Sequence, residues 1–333
     1  MTSKTLNASC LVGLLIISCA GPLAGQQKPQ WAPGQVGMNA GILPPPGFTY
    51  ANISLNYNAG TFNSAEGNAI PATGAYNVWA VENIFYYVPN VKVLGGNLGF
   101  MTVFPTPATG SLAADLDPTK LNHNLSLTGG GSGLGDIYVQ PFSLGWHTSR
   151  VDFQVAEAFM APTGRYNPGA SDNVGFGYWG NHFTTGTTGY VTKNKGTSVN
   201  LFTDWEVHGS REGVNNTSKT PGQAFTMEWG VGQVLPLKKD FSQLVQVGLV
   251  GYDQWQVTDN GGTVPVGSSG ATIPASQLPR YSVHAMGGQI AYILPKKNLS
   301  FNFKMEHEYS SSSHFLGNTI AFGGNWTLKI PRK

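Results

Sequence analysis

Cysteine is nearly absent from this 333-residue chain: there are two, Cys10 and Cys19, both close to the start. If that start is removed on export, the remainder has none, which excludes disulfide frameworks and thiolate metal sites. Charge is scarce as well. Asp, Glu, Lys and Arg make up 11% of the residues, against about a quarter in ordinary soluble domains. The net charge of +2 comes with no basic block, so nothing points to a nucleic-acid partner. Past the opening residues there is no run of about 18 apolar residues, which excludes a membrane-spanning helix. Strands that cross a membrane remain compatible with that lack.

The opening itself has the composition of a secretory signal peptide. Lys4 precedes the apolar run "LVGLLIISCA" (Leu11 to Ala20), and small residues follow it. Residues 1–25 are expected to be removed, with cleavage after Ala20 or Gly25. Cys19 raises a lipoprotein reading, which the bulky Ile17 two residues earlier disfavours. Residues 26–47 hold five prolines (Pro29, Pro33, Pro44, Pro45 and Pro46) and cannot form a strand ladder. They are expected to act as a plug or a tail.

What the chain does have is glycine, with 44 residues, aromatic side chains at 11%, and a persistent period of two. In "NLSFNFKMEHEY" (Asn298 to Tyr309), Phe301, Phe303 and Met305 alternate with Asn302, Lys304 and Glu306. Val199, Leu201, Trp205 and Val207 likewise alternate with Asn200, Asp204, Glu206 and His208. Twelve such stretches lie between Phe48 and the C-terminus, each bounded by turn residues. Connections after even-numbered stretches are short and often basic, as at Thr148, Lys193, Pro236 and Pro295; those after odd-numbered ones are mostly longer. This alternation predicts an all-β fold: a transmembrane antiparallel up-and-down β-barrel of about 12 strands over residues 48–333, with lipid outside and water inside. A secreted sandwich has no reason to show it.

The acids fall within the predicted strands and the bases mostly in the short turns. Lys304 is the exception among the bases. The phase of the strands predicts a carboxylate-lined outer vestibule, with Glu82, Asp136, Asp152, Asp204, Glu206, Glu228, Lys304, Glu306 and Glu308 as candidate lumen residues. Such a field favours cations or neutral solutes over small anions. Asp253 counts with this acidic set. Glu157 breaks the polarity of its strand, so either a bulge intervenes or it lies above the lipid. In "LVQVGLVGY" (Leu244 to Tyr252) both phases are apolar and the faces stay unassigned.

Catalysis has little support. "HTS" at His147 and "HGS" at His208 sit at strand ends where Ser is expected in turns anyway. No third group completes a nucleophile constellation. "GGGSGLGD" at Gly129 lacks the Lys and the helix of a phosphate loop. His123, His182 and His314 show no metal-ligand spacing. Neither an enzyme, a metal nor a cofactor is expected.

With the strands placed, "GLGDIYVQPFSLGWH" (Gly133 to His147), "DFQVAEAFMAPTGRYNPG" (Asp152 to Gly169) and "NVGFGYW" (Asn173 to Trp179) resemble the family of exported barrels named for the meta-cleavage pathway of phenol degradation. The resemblance runs from about Gly41 to the C-terminus and implies an outer-membrane transporter for aromatic or other hydrophobic compounds. No catalytic or ligand residues carry over with it. Pro162, Gly164, Arg165, Pro168 and Gly169 form its rim motif, and these turn formers also suit a plain rim turn. The expected function is therefore a bacterial outer-membrane channel or transporter for small, neutral aromatic or hydrophobic solutes, in contact with membrane lipid. The alternative is a structural or adhesion barrel that transports nothing. The sequence names neither the solute nor the oligomeric state.

Overall fold

A computed structural model describes residues 29–116, 126–266 and 271–329. The expected signal peptide, residues 26–28 of the lead segment and His123 lie outside the described residues. Twelve long strands make the wall: β1 (Gly47–Phe62), β2 (Ala72–Val88), β3 (Gly96–Leu116), β4 (Ile137–His147), β5 (Val151–Ala161) and β6 (Gly180–Tyr190), followed by β7 (Thr197–His208), β8 (Ala224–Pro236), β9 (Leu244–Gln256), β10 (Ser282–Leu294), β11 (Leu299–Ser312) and β12 (Phe315–Lys329). Each pairs antiparallel with the next, and β12 returns to β1 with Gly47 opposite Lys329 and Asn58 opposite Asn318. Closure satisfies every edge, which a sheet in hydrocarbon requires because no water is there to take its N–H and C=O groups.

Both ends of the wall, Gly47 and Lys329, meet at the rim that carries the short turns. These turns span residues 89–95, 148–150, 191–196, 237–243 and 295–298. At the opposite rim, longer loops build upward. Ser126–Gly133 continues β3's pairing, and Arg211–Glu212, Ser218–Thr220, Gly261–Val266 and Ala271–Pro274 form a small separate sheet.

Side chains divide as the period of two requires. Phe301, Phe303 and Met305 are exposed on the outside, while Lys304, Glu306 and Glu308 are buried inside. Aromatic rings run around the wall at both levels. Near the short-turn rim, Tyr87 lies against Phe100 and Trp146 against Phe153. Toward the loop rim, Trp205, Phe225, Trp255, His284 and Tyr309 follow one another at centroid spacings of 5.8, 6.2, 5.5 and 6.3 Å. Rings with one polar edge suit the depth where hydrocarbon gives way to headgroups.

The structure assigns the faces of β9. Gln246, Val250, Tyr252 and Gln254 are buried inside, whereas Val247 and Leu249 are exposed outside. Asp253 is therefore on the outer face, at the aromatic girdle, against His284 Nδ1 at 2.7 Å and the Trp229 indole at 3.2 Å. Glu157 also faces outward, with Asn181 Nδ2 at 3.3 Å; the register shift lies between Val139 and Phe142, in its pairing with β4. The outer face departs from uniform apolarity along β1 and β2. Asn52, Ser54, Asn56 and Asn58 point outward there. Cross-strand bonds satisfy several of them: Asn52 and Tyr50 donate to Asn83, the Trp79 indole to Ser54 and Asn58 to Asn77.

Candidate functional site

A twelve-strand barrel is wider than the eight-strand kind that its own side chains fill, and here a separate piece of chain occupies the space. Residues 29–46 enter at Gly47 from the short-turn rim and climb through the lumen. Without a strand ladder, each backbone N–H of this proline-rich stretch needs an acceptor, since an unpaired buried donor is costly. The wall provides many of them, and the Asn39 carbonyl takes the Ile42 amide within the segment.

Glu228 is the principal acceptor. Its Oε1 takes the Trp31 indole N–H at 2.9 Å and the Gln35 amide at 3.3 Å; its Oε2 takes the amides of Val36 at 2.8 Å and Gly37 at 3.2 Å. Glu206 Oε2 accepts the Gln30 amide at 2.7 Å. Further down, Gln289 accepts from Met38, Asn200 from Asn39 and Thr188 from Gly41, while Gln154 donates to the Ala40 carbonyl at 2.7 Å. Asn39 and Gln246 exchange two bonds, at 2.8 and 3.1 Å. The Trp31 ring lies 5.1 Å from Phe202 and 6.0 Å from Tyr138. Gly34 has φ +85° and passes directly over the Glu306 carboxylate, where a Cβ would overlap Glu306 Oε2.

The candidate carboxylates thus do not stand around an open vestibule. Glu82, Asp204, Glu206, Glu228, Glu306 and Glu308 are buried in the lumen, and most of them have specific partners. Tyr57 and Tyr252 both donate to Glu308, at 2.8 and 2.9 Å. Lys304 lies 3.8 Å from Glu306. His182 Nδ1 pairs with Asp204 Oδ2 at 2.9 Å and His208 Nε2 with Glu206 Oε2 at 3.1 Å. Burial with a partner is the arrangement that a low-dielectric interior demands of charge.

Asp152 lies apart from that group, at the short-turn rim, where Tyr190, His147 and Lys195 surround it. Asp136 is at the other end, just before β4. It accepts the backbone amides of Gly164 at 2.8 Å and Phe176 at 2.7 Å, and so ties down the loop 162–179. That contact joins the "GDIYVQP" and "PTGRYNPG" stretches in space. Within the same loop, the Arg165 carbonyl accepts from Val174 and Gly175, its guanidinium meets Asp172 at 3.2 Å, and Gly169 takes φ +78°. Pro162 and Pro168 flank these bonds in the loop.

His182, which shows no metal-ligand spacing in the sequence, lies in β6 with carboxylates beside it. It sits opposite Glu206 in the β6–β7 register, and with Asp204 and Glu206 it offers ligand atoms within 4.8 Å of one another. A cation there would compete with the N–H groups that Glu206 already accepts. The residues the sequence does not reveal are the neutral acceptors Asn200, Gln246, Gln289, Thr188 and Gln154. Their signal is weak: polar side chains on the inward phase, with nothing to say what they hold.

Neither His–Ser pair is arranged for nucleophilic attack. His208 Nδ1 is taken by the Gly222 carbonyl at 2.9 Å, and Ser210 bonds Thr220 instead. His147 pairs with Asp152.

Residues 59–323 match the profile of the family described as "Putative MetA-pathway of phenol degradation". The fold is similar to that of an outer membrane channel from Pseudomonas putida F1, with a TM-score of 0.67 and 12% identity over 90% of this chain and 100% of that one. It is more distantly similar to the β-domain of the Bordetella autotransporter BrkA, with a TM-score of 0.49 and 9% identity over 85% of this chain and 100% of that one. Among curated proteins nothing matches the chain.

Proposed function

Because this chain belongs to the phenol-degradation family whose profile spans residues 59–323, we propose that it is a bacterial outer-membrane channel or transporter for small, neutral aromatic or hydrophobic solutes. Membrane lipid surrounds its apolar wall, and its lumen is closed at rest by residues 29–46. The observation that carries this reading is the way the lumen is filled. The filling is a tethered segment held by side-chain acceptors, so it can leave without breaking the wall. A permanently solid barrel would fill its interior from the wall itself.

The similar fold of the Pseudomonas channel supports the reading. The lumen carboxylates favour cations or neutral solutes once the segment moves. No catalytic role is assigned, in keeping with His147 and His208 bonded away from Ser. The test is conductance in planar bilayers of the full chain beside a variant lacking Gln26 to Gly47, with uptake of an aromatic panel by a deletion strain. A closed full chain, a cation-preferring open variant and lost uptake are expected. Equal conductance of the two proteins would reject the segment as a plug, and anion preference would reject the role given to the carboxylates.

A second reading, a structural or adhesion barrel, draws on the buried Tyr57–Glu308–Tyr252 and His–carboxylate contacts, which close the lumen tightly. It predicts no conductance from either protein and no uptake defect.

A further inference from the structure

Between the upper end of the lead segment and the wall lies a cavity of about 110 Å³. Trp31 and Pro33 form one side; Leu55, Tyr76 and Val78 form the other; Phe176, from the loop that Asp136 ties down, also lines it. Leu55 and Tyr76 belong to the largest apolar cluster of the interior, where Tyr76 stacks on Phe315 at 4.9 Å. An apolar hole of this order is the size that takes one six-membered ring; an engineered protein cavity of about 150 Å³ stays dry and binds benzene. Flat rings on several sides offer the edge and face contacts that aromatic ligands prefer.

Most polar side chains around the cavity already have partners, and Gln30 Oε1, buried without one, is turned against Gly180, which does not line the cavity. Tyr57 and Tyr252 give their hydroxyl protons to Glu308, at 2.8 and 2.9 Å. Gln254 Nε2 donates to Thr226 Oγ1 at 2.8 Å and to the Trp31 carbonyl at 3.1 Å. The Trp31 indole is held by Glu228, and His314 Nδ1 by the Phe315 carbonyl at 2.7 Å. A ligand hydroxyl entering here finds most lining groups already bonded, and displacing one of these bonds or going unpaired costs affinity.

We propose that this cavity is a binding site for one unsubstituted or alkyl-substituted monocyclic arene, such as toluene, and that it discriminates against phenols. The site rests on the channel reading for its purpose, since a ring held there lies on the path the segment blocks. Its selectivity runs against the hydroxylated compound in the family's name, because most lining groups able to bond that hydroxyl are already engaged.

Toluene binding to the purified full chain in detergent, measured by headspace partition against protein-free micelles, tests this. One saturable site per chain is expected, with phenol at least tenfold weaker as a competitor. Leu55→Trp and Val78→Phe both fill the cavity and should each weaken toluene binding at least tenfold. Heat-modifiable gel mobility checks that each variant still forms the barrel. Absence of saturable binding to the wild type, binding unchanged in both folded variants, or phenol competing as well as toluene would overturn the site. Toluene flux into liposomes, measured in parallel, separates the two claims. Binding without flux defeats the channel and keeps the site, whereas flux without binding does the reverse.

Discussion

Glu228 on β8 and Val36 in the lead segment, 192 residues apart in the chain, are joined by a 2.8 Å hydrogen bond from the Val36 amide to the Glu228 carboxylate. Through the same carboxylate the Trp31 indole and the Gly37 amide are held as well, so one wall residue fixes the middle of the segment.

Glu228→Gln should therefore loosen the segment while leaving the wall intact. An amide keeps one acceptor but turns its N–H₂ toward donors. Hydrogen bonds to a charged acceptor are worth roughly 1.5–3 kcal/mol each, so exchange of the amides at 35–37 should quicken about tenfold or more. Conductance should rise with it. Unchanged exchange at those amides would show that Glu228 does not hold the segment.

Gly34→Ala should act in the same direction by a different route. Gly34 has φ +85°, and a Cβ there would push against the end of the Glu306 side chain; the left-handed backbone alone costs a non-glycine residue about 1–2 kcal/mol. Raised single-channel conductance is expected, together with unfolding of the barrel at the wild-type denaturant concentration. A lowered unfolding midpoint with the channel still closed would contradict this assignment.

Asp136 makes the loop 162–179 sensitive to pH. Burial pushes its carboxyl up to about 6, against the pull of the backbone N–H groups of Phe176, Gly164 and Thr163. A carboxyl raised in the fold contributes stability that is full below its unfolded value, near 4, and is lost as pH climbs through about 6. The Gly164 and Phe176 amides should be better protected at pH 4 than at pH 7, after correction for intrinsic exchange. In Asp136→Asn that pH dependence should vanish, and its survival there would assign it to another group.

The outer face of β9 is the place to test the membrane geometry. Leu249 is 68% exposed in mid-strand, and a cation at the bilayer midplane costs a barrel about 2–4 kcal/mol. Leu249→Arg should lose stability of that order in urea unfolding from lipid vesicles, and Leu249→Phe should lose little. Equal stability of the arginine variant would move Leu249 out of the lipid.

The wall is legible in the sequence because a strand between lipid and a polar lumen must alternate, and β7, β8 and β11 do so over most of their length, with exceptions such as Phe202 inside and His307 outside. The alternation of short and long connections then orders the strands. β9 resists this reading because Leu244 to Tyr252 is apolar on both phases; with its faces unassigned, Asp253 counts as a lumen acid although it lies outside. The lumen carboxylates can be picked out by phase, but their partners cannot. Glu228 and Glu206 are satisfied by backbone amides of a stretch with no period of its own, and a backbone amide leaves no mark in a sequence. His182 escapes for a related reason, since only the β6–β7 register sets it opposite Glu206.

The lead segment joins the wall at Gly47, and its contacts rise from Leu43 beside Gly145 to Gln30 beside Glu206. That covalent join makes the two ends unequal: contacts near Gly47 are kept close by the wall strand, whereas those at Gln30 hold only by hydrogen bonds and packing. On the plug reading proposed above, loosening therefore starts at Gln30 while the segment stays leashed at Gly47.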